Sequence, residues 1–333
     1  MIDSVSHEFF HSWNVERIRP RSLEPFNFDE ANMSGELWLA EGFTQYYGLL
    51  IQRRARLTSL EGFAFDMGDL AGTVMLSPAR QIRTAEEMSR FAPFTDAAVA
   101  IDRTDFSNTF ISYYTWGGAI ALALDLTLRD RSSGAITLDD FMRELWRRYG
   151  APGGHAPGYV DRPYTIGDLR DTLASVSGDP AFASGFFAKY IQGHDVPDYQ
   201  RLFALAGLTL RPVNRGEGFV GALRLQDASG GVHVVSETAF GSPAYEAGLD
   251  RDDLITMFAG APVRSAAELD ASIRGRKPGS TVPIAFERRG RRVTATLRII
   301  EDPRQELVPA EAAGQTLSAA QRQFRAAWLG PRR

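Results

Sequence analysis

Two histidines and a glutamate stand close to the start of the chain, in the run Ser6-His7-Glu8-Phe9-Phe10-His11-Ser12-Trp13. The spacing is H-E-x-x-H. On an α-helix, residues four apart share a face and lie about 6 Å apart along the axis. His7 and His11 can therefore offer two imidazole nitrogens to one metal ion. Glu8 projects beside them, where its carboxylate could take a proton from a water that the metal polarises. The plainer alternative is ordinary helix surface, since a chain of this length carries such a pentapeptide by accident on the order of once in a hundred. Two histidines do not complete a catalytic zinc site, which takes three protein ligands and leaves a position open. A third candidate lies in Leu37-Trp38-Leu39-Ala40-Glu41-Gly42-Phe43-Thr44-Gln45-Tyr46-Tyr47, where Glu41 is an acid inside an otherwise apolar helical turn. Burying that carboxylate is costly unless something compensates it, and a metal would. The alternative is a half-exposed glutamate on a helix edge. Gln45, one turn later, either orients a ligand or faces solvent.

Composition limits what such a centre can be. The 333 residues are 44% hydrophobic and 23% charged, with a formal net charge of −4. That is a globular composition with no charge excess to recruit nucleic acid or a membrane surface. There is no cysteine, so disulfides and thiolate chemistry are excluded and a metal must be held by histidine and carboxylate. The other histidines, His155, His194 and His233, lack metal-ligand spacing and read as structural or solvated. No apolar run is long enough to span a bilayer. Residues 1–5 carry neither a basic n-region nor an apolar h-region, so no signal peptide is expected in this chain. A soluble protein is the expectation, and its compartment is not readable from these features.

The elements that would position these residues are mostly helices. The patterning predicts a short motif helix over 4–13, a loop to 32, and helices over 34–57 and 59–75, the latter capped by Ser59. Residues 91–109 look irregular. A very apolar, buried helix follows over 111–131. Capped starts at Thr137, Thr165, Asp179 and Asp198 open four more helices. Near residue 208 the texture changes to glycine-rich turns and short Val/Ile/Thr runs. Strands are expected at 232–235, 254–257, 282–286 and 293–300, with Arg289-Gly290 as a hairpin turn. The fold class expected is therefore α+β and multidomain: a mainly helical region, 1–213, a small β-rich region, 214–303, and a tail, 304–333. The tail holds one amphipathic helix with Leu317, Phe324 and Trp328 on a face.

The longer wording of the first region resembles peptidase family M61, the glycyl aminopeptidases, within the gluzincin metallopeptidases. The residues that carry this are Ser6 to Pro20, Leu37 to Tyr47, Ser112-Tyr113-Tyr114-Thr115-Trp116-Gly117-Gly118 and Leu124-Asp125-Leu126. The resemblance implies a helical catalytic domain and one catalytic Zn2+ held by His7, His11 and Glu41. It implies Glu8 as general base and then proton donor to the leaving amine. Tyr114, three residues before Gly117, would donate to the oxyanion, with Tyr113 as its rival and plain core packing as the alternative for both. Where the family usually has lysine before this glycine, the chain has Trp116. The implied substrate is a peptide with a free N-terminus.

In the second region, residues 241–255 resemble the G-S-P-A-x-x-A-G-L-x-x-G-D-x-I signature of bacterial PDZ domains, with Asp252 in place of the usual glycine. A PDZ-like module takes a peptide C-terminus in a loop of backbone amides, here expected near 218–222, or it only packs on the catalytic domain. The family also carries a β-rich region and a G-x-x-E-[NH]-like, amine-anchoring segment before H-E-x-x-H. Six residues precede His7 here, so an N-terminally truncated enzyme is expected. The alternative function is an inactive fragment acting through its PDZ-like domain.

Overall fold

Apolar side chains collect into two separate cores, one helical and one β-rich. The computed structural model describes residues 2–95 and 105–331. The first core is built by α1 (Ile2–Phe10), α2 (Leu37–Ala40), α3 (Gly42–Arg54), α4 (Leu60–Leu76), α5 (Ala85–Arg90), α6 (Ala92–Thr95), α7 (Phe106–Thr109) and α8 (Tyr113–Arg131). It continues through α9 (Leu138–Leu145), α10 (Ile166–Ser177), α11 (Pro180–Tyr190) and α12 (Tyr199–Leu205). α8 runs through its middle. Residues 116–126 of that helix are all buried, as its unbroken Ala/Ile/Leu run requires.

Local chemistry sets most of the helix starts. The Ser59 hydroxyl accepts from the Gly62 amide at 3.0 Å. Thr84, Thr137 and Thr165 open capping boxes, and Asp179 accepts from the Phe182 amide at 2.9 Å ahead of Pro180. Each satisfies amide groups that the first turn leaves unpaired. Two expectations change. The helix predicted over 34–57 is two, α2 and α3, joined at Glu41. α6 and α7 are short helical turns within the stretch read as irregular, and 96–104 lies outside the described residues.

The second core lies between the strands of a two-stranded ribbon. β1 (Leu208–Pro212) pairs antiparallel with β10 (Gln305–Pro309), Leu208 facing Pro309. Between them, β2 (Gly218–Phe219) pairs with β9 (Ile300–Glu301). The main sheet holds β3 (Leu225–Ala228), β4 (Gly231–Val234), β5 (Leu254–Phe258), β7 (Thr281–Arg288) and β8 (Arg291–Arg298) in that spatial order, with β6 (Ala261–Pro262) on β5. α13 (Pro243–Glu246) and α14 (Ala266–Arg274) complete this region, whose core is aliphatic: Val232, Val234, Ile255, Ile284 and Leu297 among others. Arg289 and Gly290 both have positive φ, 51° and 75°, as the twisted hairpin turn demands. Asp252 has φ 69°, so it occupies the left-handed position for which glycine is the usual solution and aspartate a tolerated one.

Residues 304–333, read as a tail, do carry a helix, α15 (Ala319–Leu329). It packs into the first core. Trp328 is fully buried, its indole donating to the Tyr46 hydroxyl at 2.9 Å, while Arg129 donates to the Ala327 carbonyl at 3.1 Å. The two cores also meet through α7. Ser107 Oγ donates to Glu237 at 2.5 Å. The buried Asn108 amide donates to the Thr238 carbonyl and accepts from the Phe240 amide, both at 2.9 Å.

Candidate metal centre

α1 lies along α3, and glycine makes the approach close. A Cβ on Gly48 would sit 3.4 Å from the His7 backbone nitrogen, Ser6 Oγ donates to the Gly48 carbonyl at 2.9 Å, and the Phe10 and Tyr47 rings stack at 4.6 Å. This fixes the face of α1 that carries His7 and leads into the turn holding His11. On the other side, the α2–α3 junction swings Glu41 toward them. α8 presses on that junction at Gly117, where a Cβ would overlap the Trp38 carbonyl oxygen and the Gly42 Cα. Any side chain at Gly117 would force α8 away from the α2–α3 junction.

The result is a near-equilateral triangle of donor atoms. His7 Nε2 and His11 Nε2 are 3.1 Å apart, and Glu41 Oε2 lies 3.3 Å from the first and 3.2 Å from the second. Ligand bonds of 2.0–2.1 Å in a tetrahedron place ligand atoms about 3.3 Å apart, so the donor set fits one zinc ion without rearrangement. The tautomer of His11 suits it as well. Its Nδ1 lies 2.7 Å from the Asn14 carbonyl, which can only accept, so Nδ1 carries the proton and the neutral ring keeps its lone pair on Nε2. His7 Nδ1 is buried without a hydrogen-bond partner. Charge also gathers on these side chains. Burial by itself raises the Glu41 pKa, but hydrogen bonds and charge from His11 and His7 prevail and hold it down at about 2. Burial lowers that of His11, and the contacts with Glu41 and Asn14 and the charge of Glu8 outweigh it, for a net rise. The raised His11 pKa favours a proton on Nε2 beside the Glu41 carboxylate, and a divalent cation at this centre would displace that proton.

Glu8 points out of α1 into solvent and lines two clefts on either side of it. One, of about 520 Å³, is bordered by His7, His11, Val15, Arg19 and Glu41. The other, of about 360 Å³, includes Gln45 and Leu49. Tyr114 borders both, half-buried, with its ring 5.7 Å from that of His7. Tyr113 is 1% exposed and belongs to the interior. Gln45 donates its backbone amide to the Glu41 carbonyl at 2.8 Å, and its side chain borders the second cleft. Three histidines stand apart from this centre. His155 pairs with Asp161 at 2.6 Å on the surface, His194 bonds the Arg80 carbonyl, and His233 lies on the exposed face of β4. Among the described residues, His7, His11 and Glu41 are the group of three that could hold a metal. Two contributors escaped the sequence reading. The packing role of Gly117 was signalled by a glycine pair inside a run of strong helix formers, and Asn14 by nothing local.

Residues 1–120 match the family model of the M61 glycyl aminopeptidases, and residues 218–299 match that of PDZ domains. The M61 match covers the first part of the helical region, and the β-rich region is a PDZ domain. All five site residues, His7, Glu8, His11, Glu41 and Tyr114, fall inside the M61 match. The crystal structure of an aminopeptidase N family protein from Idiomarina loihiensis shares the fold, with a TM-score of 0.79 over 99% of this chain at 22% identity. The chain spans about half of that protein, 55%. A probable periplasmic serine endoprotease, DegP-like, from Rhizobium meliloti (strain 1021) is 31% identical over 109 residues, 33% of this chain and 21% of that protein. In the PDZ domain, a cleft of about 230 Å³ runs between residues 218–223 and α14, bordered by Phe219, Gly221, Ile273 and Arg274. It lies where the peptide-binding loop was expected. No helix of the described residues is long and apolar enough to cross a membrane.

Proposed function

We propose that this chain performs zinc-dependent peptide-bond hydrolysis of aminopeptidase type at the centre formed by His7, His11 and Glu41. The observation that carries the reading is the donor triangle, with edges of 3.1, 3.2 and 3.3 Å. Zinc held there supplies Lewis acidity toward water and toward a peptide carbonyl. Glu8 then takes the proton of the attacking water on its carboxylate and returns it to the amide nitrogen as the C–N bond breaks. The Tyr114 hydroxyl donates to the carbonyl oxygen as negative charge develops on it. The Asn14 carbonyl holds the His11 proton at Nδ1 throughout. The substrate class is peptides with a free N-terminus, and the PDZ cleft is the candidate site for a peptide C-terminus.

The PDZ cleft is also the basis of a second reading, in which the chain is catalytically silent and works by binding a peptide or protein there. One set of measurements separates the two: metal content of the purified protein, hydrolysis of small aminoacyl amides, and the same on Glu8→Gln. About one zinc per chain and activity lost in Glu8→Gln support the enzyme. Full activity in Glu8→Gln sinks the mechanism. Metal-independent silence, with peptide binding that disappears when 214–303 is removed, favours the second reading.

A further inference from the structure

We infer that Asn14 is a positioning residue that sets the distance between the histidine pair and Glu41; the inference rests on the metal-centre reading above. Asn14 is fully buried, three residues past His11. Its carbonyl accepts from His11 Nδ1 at 2.7 Å. Its side-chain amide reaches the opposite wall of the site and donates to the Leu39 carbonyl at 3.0 Å, the Ala40 carbonyl at 3.0 Å and Thr44 Oγ1 at 3.1 Å. Thr44 in turn donates to the Ala40 carbonyl at 2.7 Å, so its oxygen faces Asn14 as an acceptor. One residue thus grips one proposed ligand through its main chain and, through its side chain, the residue immediately before another.

The chemistry of that position is specific. Two carbonyl oxygens at the end of the one-turn helix α2 offer only lone pairs, and a neutral amide nitrogen can satisfy both. Aspartate has the same shape and no donor, so it would set a carboxylate against two carbonyls. α1 is then fixed to α3 and the α2–α3 junction at two points. Ser6, bonded to the Gly48 carbonyl, holds the His7 end, and Asn14 holds the His11 end. Val15 adds a second, independent sign. It is β-branched, it borders the larger cleft, and it has φ 117°, a conformation such residues adopt only when the surroundings impose it. The turn is bonded locally: Arg19 Nε donates to the Val15 carbonyl at 3.2 Å and the Ile18 amide to the Trp13 carbonyl at 2.8 Å. The chain accepts a strained turn directly after Asn14, and that turn keeps the Asn14 main chain under His11 while its side chain points at Glu41's helix junction.

A merely structural asparagine would lower the melting temperature of the metal-free protein and leave the zinc affinity of the folded molecules unchanged. A positioning residue changes affinity and ligand geometry. The test is zinc affinity by competition with a chromophoric chelator, together with the visible spectrum of the Co2+-loaded protein, for wild type, Asn14→Asp and Thr44→Val. For Asn14→Asp the expected result is zinc binding weaker by about 10–100-fold, the range typical of outer-shell partners of metal ligands, with an altered cobalt spectrum. Thr44→Val, which keeps its volume and loses one acceptor, is expected to weaken zinc by a few-fold, and it carries the test if Asn14→Asp does not fold. Wild-type affinity and spectrum in the folded variants would overturn this inference alone. Failure of the wild-type protein to bind zinc would overturn the metal-centre reading and this inference with it.

Discussion

The two regions solve the burial of polar groups in opposite ways. The PDZ domain keeps them at its margins: Thr238, Asp253 and Asp302 are buried in loops, and the sheet core is aliphatic. The helical region runs polar networks through its middle. Asp125 there is fully buried and accepts from Tyr46, Arg129 and the Leu138 amide, and Asn14 and Thr44 are buried beside the candidate metal centre. An aliphatic core tolerates exchange of similar volumes. A satisfied polar network fixes one arrangement and is unforgiving when a member is lost. The lesson is that the region with chemistry to position carries the rigid internal bonding, while the PDZ domain builds its cleft from backbone and one helix.

The largest expected effect tests whether the helical region has chemistry to protect. Glu8→Gln should lower hydrolysis by about 10²–10⁴-fold, the usual contribution of a general base, with zinc content and the melting curve unchanged, because the side chain is exposed and lies outside the donor triangle. Hydrolysis rates paired with metal analysis check it, and unchanged rates would remove the functional half of the comparison.

The next effect tests where the helical region ends. Trp328→Ala should destabilise the helical region by about 3–5 kcal/mol, since the indole is fully buried against Phe63 and bonded to Tyr46. Excising 214–303 and joining the strands of the β1–β10 ribbon should leave zinc affinity within about two-fold, because among the described residues the centre's hydrogen bonds come from the helical region. Denaturant melts and chelator competition read both. A larger loss from the excision than from Trp328→Ala would reverse the assignment of residues 304–333.

How much of this was legible from sequence follows the range of the forces involved. H-E-x-x-H, the caps at Ser59, Thr137, Thr165 and Asp179, and the Arg289-Gly290 turn depend on residues within four positions, and the structure has them all. The joint at Glu41 does not. It depends on Gly117 pressing on Trp38 and on Asn14 bonding carbonyls 25 and 26 residues away, and no periodicity encodes such distances. Glu41 itself was found through the resemblance to M61 and the oddity of an acid in an apolar turn. The return of Trp328 to Tyr46 spans 282 residues, and its sequence signal, one amphipathic helix, gives no address.

Two glycines sharpen the contrast at a smaller scale. Gly117→Ala forces a methyl into the Trp38 carbonyl, with no flexible side chain to yield, so a loss of at least about 1–3 kcal/mol is expected, as for overpacking, together with weaker zinc binding as the junction shifts. Gly290→Ala meets nothing within 4 Å and suffers only its φ of 75°, about 1–2 kcal/mol, with zinc binding untouched. Melting curves and zinc affinities on both variants check this. Equal effects on zinc would break the distinction between a steric and a conformational glycine.

The smallest effect lies where the regions meet. Burial would raise the Glu237 pKa, but hydrogen bonds from Ser107 and Arg251 outweigh it and hold it at about 2, below its ordinary 4.5. A carboxylate depressed in the folded state favours the docked arrangement above its unfolded pKa, and that contribution is lost as pH falls from about 4.5 toward about 2. The coupling between the two regions should therefore weaken over that window. It should be read as a widening gap between the melting transition of the PDZ domain and that of the helical region, after correction for the acid sensitivity of each alone. Glu237→Gln should show the wider gap already at pH 7 and little further change on acidification. Asn108→Ala should widen it at every pH, because its paired bonds to Thr238 and Phe240 involve no titrating group. If Glu237→Gln retained the wild-type acid response, the pH dependence would have to come from groups outside this contact, and the two regions would be joined chiefly by Asn108 and the β1–β10 ribbon.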